Sequence, residues 1–278
     1  MWRAFRRDRL AVLSLVIIVA IVLASVLAPW LAPYPRQGWG ASNLEEKLEP
    51  PSRAHPLGTD DIGRDILSRM LYGSRPSLSI GFLVVGIAIA IGLPLGAIAG
   101  FFGGRVDQII MRITDVFLSF PALLLAIAIS AALGPGLRNA MIAIGLTWWP
   151  WYTRLARAQT VSLREQPFIE AARAIGVRNM TIVRQHVLPN VLTPCLVQAT
   201  MDVGSAILMG TALSFIGLGV QLPHADWGNM LTVARIYFTE APWFAIFPGL
   251  AIIVVAMAFN LLGDGARDVF DPRTRRRG

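Results

Sequence analysis

Asp202 is the acidic side chain that stands inside a long apolar run of the sequence. Ionisable groups within membrane segments commonly mark substrate or ion pathways. Gln198 lies one helical turn earlier and would share the surroundings of this carboxylate. Two placements are open. A span that begins near Thr193 would put Asp202 about 14 Å deep, where it could line a pathway, whereas a span that begins near Met201 would leave it at the rim as a cap or ion pair.

Residue patterns for hydrolytic, metal or nucleotide chemistry are missing from the sequence. It contains neither Gly-x-Ser-x-Gly nor His-Glu-x-x-His. The histidines, His55, His186 and His224, lie far apart without metal-ligand spacing, and Cys195 is the only cysteine. Lys47 is the only lysine and lies outside any phosphate-binding Gly-Lys-Ser/Thr sequence. We therefore predict a chain that is not itself an enzyme and binds no metal, ATP or other cofactor.

The segment 164–190, REQPFIEAARAIGVRNMTIVRQHVLPN, predicts two short amphipathic helices hinged at a glycine. Pro167 suits the first turn of the first helix, and Gly176 can adopt the left-handed conformation that ends it. Four apolar residues would share one face of this helix: Phe168, Ile169, Ala172 and Ile175.

The second helix of this segment is predicted to begin with Asn179 as its cap and to end at Pro189. Met180, Val183 and Val187 would form its apolar face. By local physics alone, a helix that merely lies on the membrane explains this basic amphipathic segment about as well as a docking surface does.

The spacing within this segment matches a known motif. Glu170-Ala171-Ala172, Gly176 and Leu188-Pro189 resemble the EAA motif of ABC importer permeases, the loop that docks into the ATP-binding subunit. His186 stands where the general motif has isoleucine, and its His-Val-Leu-Pro-Asn sequence is similar to the dipeptide, oligopeptide and nickel branch of that family. The resemblance implies that six residues couple this chain to an ATPase: Glu170, Ala171, Ala172, Gly176, Leu188 and Pro189.

Other stretches from Arg9 to Arg273 resemble the C-type permease subunit of the same branch. The sequence 55–65 is similar to the HP-x-GTD-x-x-GRD signature of these subunits, and four later stretches agree with it: 217–219, 227–231, 247–249 and 260–265. The resemblance implies an all-α type I ABC importer permease with an amphipathic cytoplasmic coupling helix. It also implies partners: a B-type permease as heterodimer, two ATP-binding subunits that carry ATP and Mg, and an extracytoplasmic substrate-binding protein.

The outer segment near 55–71 allows a further prediction. Residues 60–71 have the pattern of an amphipathic helix on the outer membrane face. A metal site from His55, Asp60 and Asp61 is an alternative, but turn and helix-cap chemistry for Thr59 and Asp60 explains these residues more simply. The resemblance makes this loop part of the surface that meets the binding protein.

Composition requires that all these residues be positioned by membrane helices. Of 278 residues, 55% are hydrophobic and 15% charged, and the mean hydropathy is +0.58. The first apolar run, 10–32, is longer than the roughly 7–15 residues of a signal-peptide core, so we predict an anchor. Six transmembrane helices are predicted in all: 10–32, 76–103, 115–134, 137–153, 195–219 and 243–263.

The distribution of arginine predicts the orientation of these spans. With both termini cytoplasmic, inner segments carry 17 basic and 8 acidic residues, whereas outer segments carry 8 of each. This inward bias favours cytoplasmic N- and C-termini in a multi-pass protein of a prokaryotic inner membrane. The basic residues Arg3, Arg6 and Arg7 and the run 273–277 would then face anionic lipid headgroups rather than nucleic acid.

Glycine recurs at every fourth position of the second predicted span, at Gly92, Gly96, Gly100 and Gly104. Such a strip lets another helix backbone approach closely. The spacing leaves open whether the partner is within this chain or in a second permease subunit.

We divide the chain into three parts: 1–75, with the N-terminal tail, first anchor and outer loop; 76–264, a five-helix permease core that includes the coupling loop at about 154–194; and 265–278, a basic cytoplasmic tail. The predicted function is ATP-driven import of di- or oligopeptides by alternating access. Nickel chelates or glutathione are the alternative cargoes. An autonomous channel or ion-coupled transporter is disfavoured, because such proteins usually place ionisable residues in several spans.

Overall fold

The computed structural model describes residues 8–270, and within that range the secondary structure is helical, with one isolated bridge between Thr59 and Asp65. The basic residues Arg3, Arg6 and Arg7 and the run 273–277 lie outside the described residues. The helices are α1 (Arg9–Val26), α2 (Ala28–Leu31), α3 (Pro35–Gly38), α4 (Ile66–Phe102), α5 (Gly104–Leu118), α6 (Ala122–Leu133), α7 (Leu137–Arg164), α8 (Pro167–Ala174), α9 (Asn179–Ile182), α10 (Leu188–Phe215), α11 (Trp227–Ala234) and α12 (Pro242–Phe270).

Helix α4 is a single helix of 37 residues, so it is about 55 Å long. Its N-cap is Asp65, whose carboxylate accepts the Ser68 N–H at 2.7 Å. The separate outer helix predicted at 60–71 is therefore wrong: 60–65 form a turn, and 66–75 are the first turns of the second span. The reason is burial, because Arg69 and Tyr72 pack inside the protein rather than lying on a lipid surface.

The third predicted span is broken. Helices α5 and α6 meet at an angle of 87° instead of forming one helix over 115–134. Pro121 lies at the break as the N-cap of α6. Proline has no N–H and disfavours helical geometry in the residue before it, so the helix stops there. The predicted span therefore coincides with α6 and with only the last turn of α5, 115–118.

The bounds of the other predicted spans also differ from the helices. The first span, 10–32, is divided into α1 and the short α2. Helix α7 extends to Arg164 rather than 153, and α10 begins at Leu188 and ends at Phe215 rather than covering 195–219. Within residues 8–270, four helical segments are long and apolar enough to cross a membrane, and the bent α5–α6 pair would be a fifth. The four are α1, α4, the run Asn179–Phe215 and α12 up to Arg267.

The helices pack in an order that differs from their order in the chain. Helices α4 and α7 share the largest contact, α10 packs on both α4 and α12, and α1 packs on α12. The start of α1 meets the end of α12, since a side chain added at Gly265 would collide with Ala11. Arg75 of α4 donates to the carbonyl oxygens of Ser25 and Val26 at 2.7 and 2.9 Å, which holds the C-terminal end of α1.

Three of the four glycines form the contact between α4 and α7. A β-carbon at Gly92 would lie 2.5 Å from the Trp149 carbonyl oxygen. One at Gly96 would meet Thr153 and Ala156, and one at Gly100 would lie 2.8 Å from the Arg157 carbonyl oxygen. These contacts are within this chain. Gly104 is the first residue of α5, and a β-carbon added there would have nothing within 4 Å.

Candidate transport cavity and coupling loop

A cavity of about 820 Å³ opens between α6, α7 and α10. Its size falls in the range of about 300–1,000 Å³ that is usual for small-molecule sites. Aromatic and aliphatic side chains form most of its wall. The lining residues are Ala122, Trp148, Trp151, Tyr152, Arg154, Leu155, Gln198, Asp202, Ser205 and Met209.

Asp202 faces this cavity from the interior of α10. The Tyr152 hydroxyl donates to Asp202 Oδ2 at 2.7 Å, and Gln198 Nε2 donates to Oδ1 at 3.0 Å. Asp202 therefore caps no helix end, and it forms no ion pair with another of residues 8–270. Gln198 shares its environment as expected from the helical spacing. The role of Tyr152 could not be predicted, because nothing in its local sequence indicates that it meets Asp202, fifty residues later.

Two arginine–aspartate pairs connect α7 with the amphipathic helix α5. Arg157 donates to both carboxylate oxygens of Asp107, at 2.5 and 2.6 Å. Arg154 donates to Asp115 at 2.7 Å, and both side chains of that pair are about half exposed, at 50% and 54%. The guanidinium group of Arg154 also borders the cavity. No local sequence pattern indicates that Arg154 lies at the cavity.

The coupling loop begins with α8, which starts at Pro167 as predicted. Gly176 follows the helix with φ of +81°, the left-handed conformation expected for it, and its N–H donates to the Arg173 carbonyl at 3.0 Å. Arg173 lies over the ring of Phe101 at the end of α4, 5.0 Å from its centroid. This contact attaches the loop to the C-terminal end of α4.

The predicted apolar face of α8 is divided. Ile169 and Ala172 are buried against the protein, whereas Phe168 is 45% and Ile175 80% exposed. Of the two alanines of the motif, Ala171 is exposed on the free face, whereas Ala172 packs inside the chain. Glu170 is exposed and makes no side-chain hydrogen bond or ion pair within the described part of the chain.

The second helix of the coupling loop does not end at Pro189. Asn179 is its first residue rather than its cap, which is Arg178. The helix continues through a π-helical turn, Val183–Val187, into α10, so Pro189 lies inside a continuous helical run as the second residue of α10. Val183 and Val187 are buried, and Met180 is 46% exposed. Leu188 is half-buried and Pro189 exposed.

The outer loop, residues 34–65, differs from the coupling loop because it contains a group of buried polar side chains that contact one another: His55, Thr59, Asp60, Arg64 and Asp65. His55 is 1% exposed and lies between two carboxylates, with Nδ1 3.0 Å from Asp65 Oδ1 and Nε2 3.2 Å from Glu46 Oε2. Asp60 is fully buried and accepts from Arg64 Nε at 2.6 Å. Arg69 Nε lies 3.6 Å from the same carboxylate.

Turn chemistry explains part of this loop as predicted. Asp60 Oδ1 accepts the backbone N–H groups of Ile62 and Arg64, at 3.1 and 2.9 Å. The Thr59 hydroxyl accepts the Glu49 N–H and donates to the Glu46 carbonyl. Neither residue caps a helix, however, because Asp65 does so. No group of three metal-ligating side chains with suitable geometry occurs within residues 8–270.

Several helices that are long and apolar enough to cross a membrane place the chain in the general class of integral membrane proteins. The chain matches the family "binding-protein-dependent transport system inner membrane component" over residues 92–276, and residues 1–51 match "N-terminal TM domain of oligopeptide transport permease C". It belongs to this family of inner-membrane permeases of ABC importers.

Relatives cover almost the whole chain. The dipeptide transport system permease protein DppC of Alkalihalophilus pseudofirmus is 45% identical over 99% of this chain and 89% of the relative. The probable D,D-dipeptide transport system permease protein DdpC of Escherichia coli K12 is 49% identical over 84% and 78%. The glutathione transport system permease protein GsiD of an Escherichia coli O6 strain is 43% identical over 99% and 90%.

The fold is similar to that of a solved permease. A chain of the inward-facing MetNI methionine ABC transporter aligns with a TM-score of 0.55 and 22% identity, over 74% of this chain and 97% of that one. A second crystal form of the same transporter gives 0.55 and 21%. The expectation of a type I ABC importer permease fold is thus confirmed, while the number of spans and the location of the termini stay predictions.

Proposed function

We propose that this chain is the C-type permease subunit of an importer that carries di- or oligopeptides. The observation that carries the proposal is the 45% identity to a dipeptide permease over 99% of the chain. A cavity of about 820 Å³ with one acidic and one basic side chain in its wall is consistent with short peptides.

Glutathione is a second candidate cargo. A glutathione permease is 43% identical over the same 99% of this chain, so the permease sequence separates the two cargoes only slightly. Glutathione is itself a small peptide with a free ammonium and two carboxylates. Both cargoes therefore suit one kind of cavity, and the two are distinguished by transport assays.

We infer six spans with both termini in the cytoplasm. The six are α1, α4, the bent α5–α6 pair, α7, the run Asn179–Phe215 and α12. An even number of spans returns the chain to its starting side, and the contact between Ala11 and Gly265 supports a common side for the two ends. The excess of arginine on that side supports a cytoplasmic location. The outer loop then faces the binding protein.

Coupling to ATP hydrolysis is assigned to the segment 154–194. The exposed face of α8, with Glu170, Ala171 and Ile175, is the surface that would enter a groove on an ATP-binding subunit. Ala172, Gly176 and Leu188 would set the shape of the loop, and Pro189 starts α10. ATP and Mg are bound by the two partner subunits, and a B-type permease completes the translocation pair.

Co-purification tests this proposal. The chain is expressed with its genomic neighbours, and the purified complex is assayed for ATPase activity with the loaded binding protein in the presence of dialanine, longer peptides, glutathione and a nickel chelate. We expect a complex that contains two permeases and ATPase subunits and is stimulated by peptide. Stimulation by glutathione or a nickel chelate alone would change the cargo. A homo-oligomer without ATPase subunits would contradict the proposal.

A further inference from the structure

The wall of the central cavity carries one acidic and one basic side chain, Asp202 and Arg154. Its remaining lining residues are neutral, so the formal charges of the wall balance. A site with one charge of each sign suits a zwitterion better than a simple anion or cation, since each end of a zwitterion finds an opposite charge.

The Asp202 carboxylate is held by two neutral donors, Tyr152 and Gln198. The carboxylates of α5 differ, because Asp107 and Asp115 each pair with an arginine of α7. Within residues 8–270, Asp202 thus has a fixed orientation and no cationic partner. A substrate ammonium in the cavity would supply that partner, with charge-assisted hydrogen bonds to an already oriented acceptor.

Arg154 borders the same cavity but is engaged by Asp115 at 2.7 Å. Both members of the pair are about half exposed, at 50% and 54%. Pairs this exposed contribute little to stability, because water solvates both charges well. A carboxylate that arrives in the cavity can therefore replace Asp115, and the planar guanidinium can bind it through two parallel hydrogen bonds.

We infer that this cavity binds the two charged ends of a short peptide: Asp202 receives the ammonium group, and Arg154 exchanges Asp115 for the carboxylate. This assignment rests on the proposed peptide-import function. The aromatic side chains Trp148 and Trp151 provide apolar surface for the side chains and backbone between the two ends. Apolar surface of this kind does not select a particular peptide sequence.

The ammonium site is tested with the complete importer in proteoliposomes, with loaded binding protein and dialanine as the probe. Peptide uptake per ATP hydrolysed is measured for Asp202→Asn, Asp202→Glu and Thr200→Ser, a conservative change in α10 outside the cavity wall. Asparagine keeps the volume, and its amide oxygen still accepts the Tyr152 hydrogen bond. Its NH2 group replaces the oxygen that accepts from Gln198, whose amide can flip to accept in turn, so the main loss is the charge. We expect uptake per ATP to fall about tenfold in Asp202→Asn, to recover in Asp202→Glu, and to be unchanged in Thr200→Ser.

Tyr152→Phe separates a binding role of Asp202 from a structural one. It removes the hydrogen bond between α7 and α10 but leaves the carboxylate charge in the cavity. We expect a smaller loss of uptake than in Asp202→Asn, with ATPase stimulation by the binding protein retained in both. An equal loss in the two variants would overturn the ammonium site, because it would follow from the lost helix contact.

The carboxylate site is tested with a matched pair, Arg154→Gln and Asp115→Asn. Both break the same ion pair, but Asp115→Asn leaves Arg154 positively charged and free for substrate. We expect reduced dialanine uptake in Arg154→Gln and wild-type or higher uptake in Asp115→Asn. Equal losses would overturn the assignment, because the pair would then matter for structure alone.

Failure of the assignment and failure of the proposed function give different results. If the wild-type complex takes up dialanine and Asp202→Asn does so equally well, the binding site is wrong and the peptide importer stands. If the wild-type complex takes up neither dialanine, longer peptides nor glutathione but is stimulated by a different cargo, the proposed function is wrong. The zwitterion assignment is overturned with it.

Discussion

The two ends of α4 carry segments of opposite design. Near Ile66 the outer loop contains four buried ionisable side chains that are paired through short contacts: His55, Asp60, Arg64 and Asp65. At Phe102, by contrast, the coupling loop leaves charged and apolar side chains exposed. Asp60 is fully buried beside Arg64, but Glu170 is exposed and unpaired within the described residues. The buried charges of the outer loop are thus satisfied within one chain, whereas the exposed face of α8 is the docking surface proposed above.

This difference decides which kind of change each region resists. In a buried ion pair, loss of one partner strands the other charge away from water, which costs about 3–5 kcal/mol. On an exposed surface the same loss usually changes stability by less than about 0.5 kcal/mol. Substitutions of the buried charges in the outer loop should therefore act on folding. Substitutions on the free face of α8 should act on coupling.

Asp60→Asn should have the largest effect on stability. The buried Arg64 and Arg69 side chains would lose their shared carboxylate, which costs about 3–5 kcal/mol. We expect a lower yield and a lower thermal transition of the purified complex, measured by size-exclusion chromatography after heating. Asp61→Asn is the matched control, because Asp61 is half-buried and its loss strands no buried arginine. Equal losses in both variants would contradict the comparison.

Two isoleucines of the coupling loop allow a buried and an exposed side chain to be compared within α8 and its C-cap. Ile169→Ala removes a fully buried side chain and should destabilise the chain by about 2–5 kcal/mol. Ile175→Ser changes a side chain that is 80% exposed, and we expect an unchanged thermal transition but reduced ATPase stimulation by the loaded binding protein. Wild-type stimulation in Ile175→Ser would show that this face contacts no ATPase subunit.

The glycine contact between α4 and α7 lies along α4, between the end that carries the outer loop and the end that carries the coupling loop. Gly96→Ala would force a β-carbon against the Thr153 carbonyl, and overpacking of this kind costs about 1–3 kcal/mol. Gly86 lies in the same helix with nothing within 4 Å of an added β-carbon, so Gly86→Ala should be neutral or stabilising. Thermal transitions of the two variants measure the difference. A Gly96→Ala variant as stable as Gly86→Ala would mean that α4 and α7 can move apart without cost.

The smallest effect concerns pH and Asp61. Burial, followed by repulsion from Asp60, raises the pKa of Asp61 above its usual value, although Arg64 opposes the shift. A carboxyl group whose folded pKa is raised destabilises the fold when ionised, and this cost disappears as the pH falls through the folded pKa. We expect Asp61→Asn to be slightly more stable than the wild type at pH 7, with the advantage shrinking toward pH 4. A constant difference across this range would contradict it.

Sequence reasoning succeeded where the signal was local. The left-handed Gly176, the Pro167 helix start and the neighbouring Gln198 and Asp202 all follow from rules that act over one or two turns. It failed where tertiary contacts decide. Residues 60–71 were predicted to form a surface helix, because their amphipathic pattern is the same whether the polar side meets water or, as here, a buried network.

The cavity shows the same limit. Tyr152 and Asp202 are fifty residues apart, and nothing in either local sequence indicates that they meet. Arg154 follows an aromatic cluster in the sequence, but its position in the cavity wall depends on how α6, α7 and α10 pack together. Both facts come from helix packing, which sequence periodicity does not determine.

The contact between α1 and α12 sets an order for synthesis and membrane insertion. Helix α1 emerges first from the ribosome, and its packing partner begins at Pro242, about 215 residues after α1 ends. At 5–20 residues per second, this separation corresponds to roughly 10–40 s of translation. During that interval α4 can already pack on α1, but the face of α1 that meets α12 has no partner until α12 has been made.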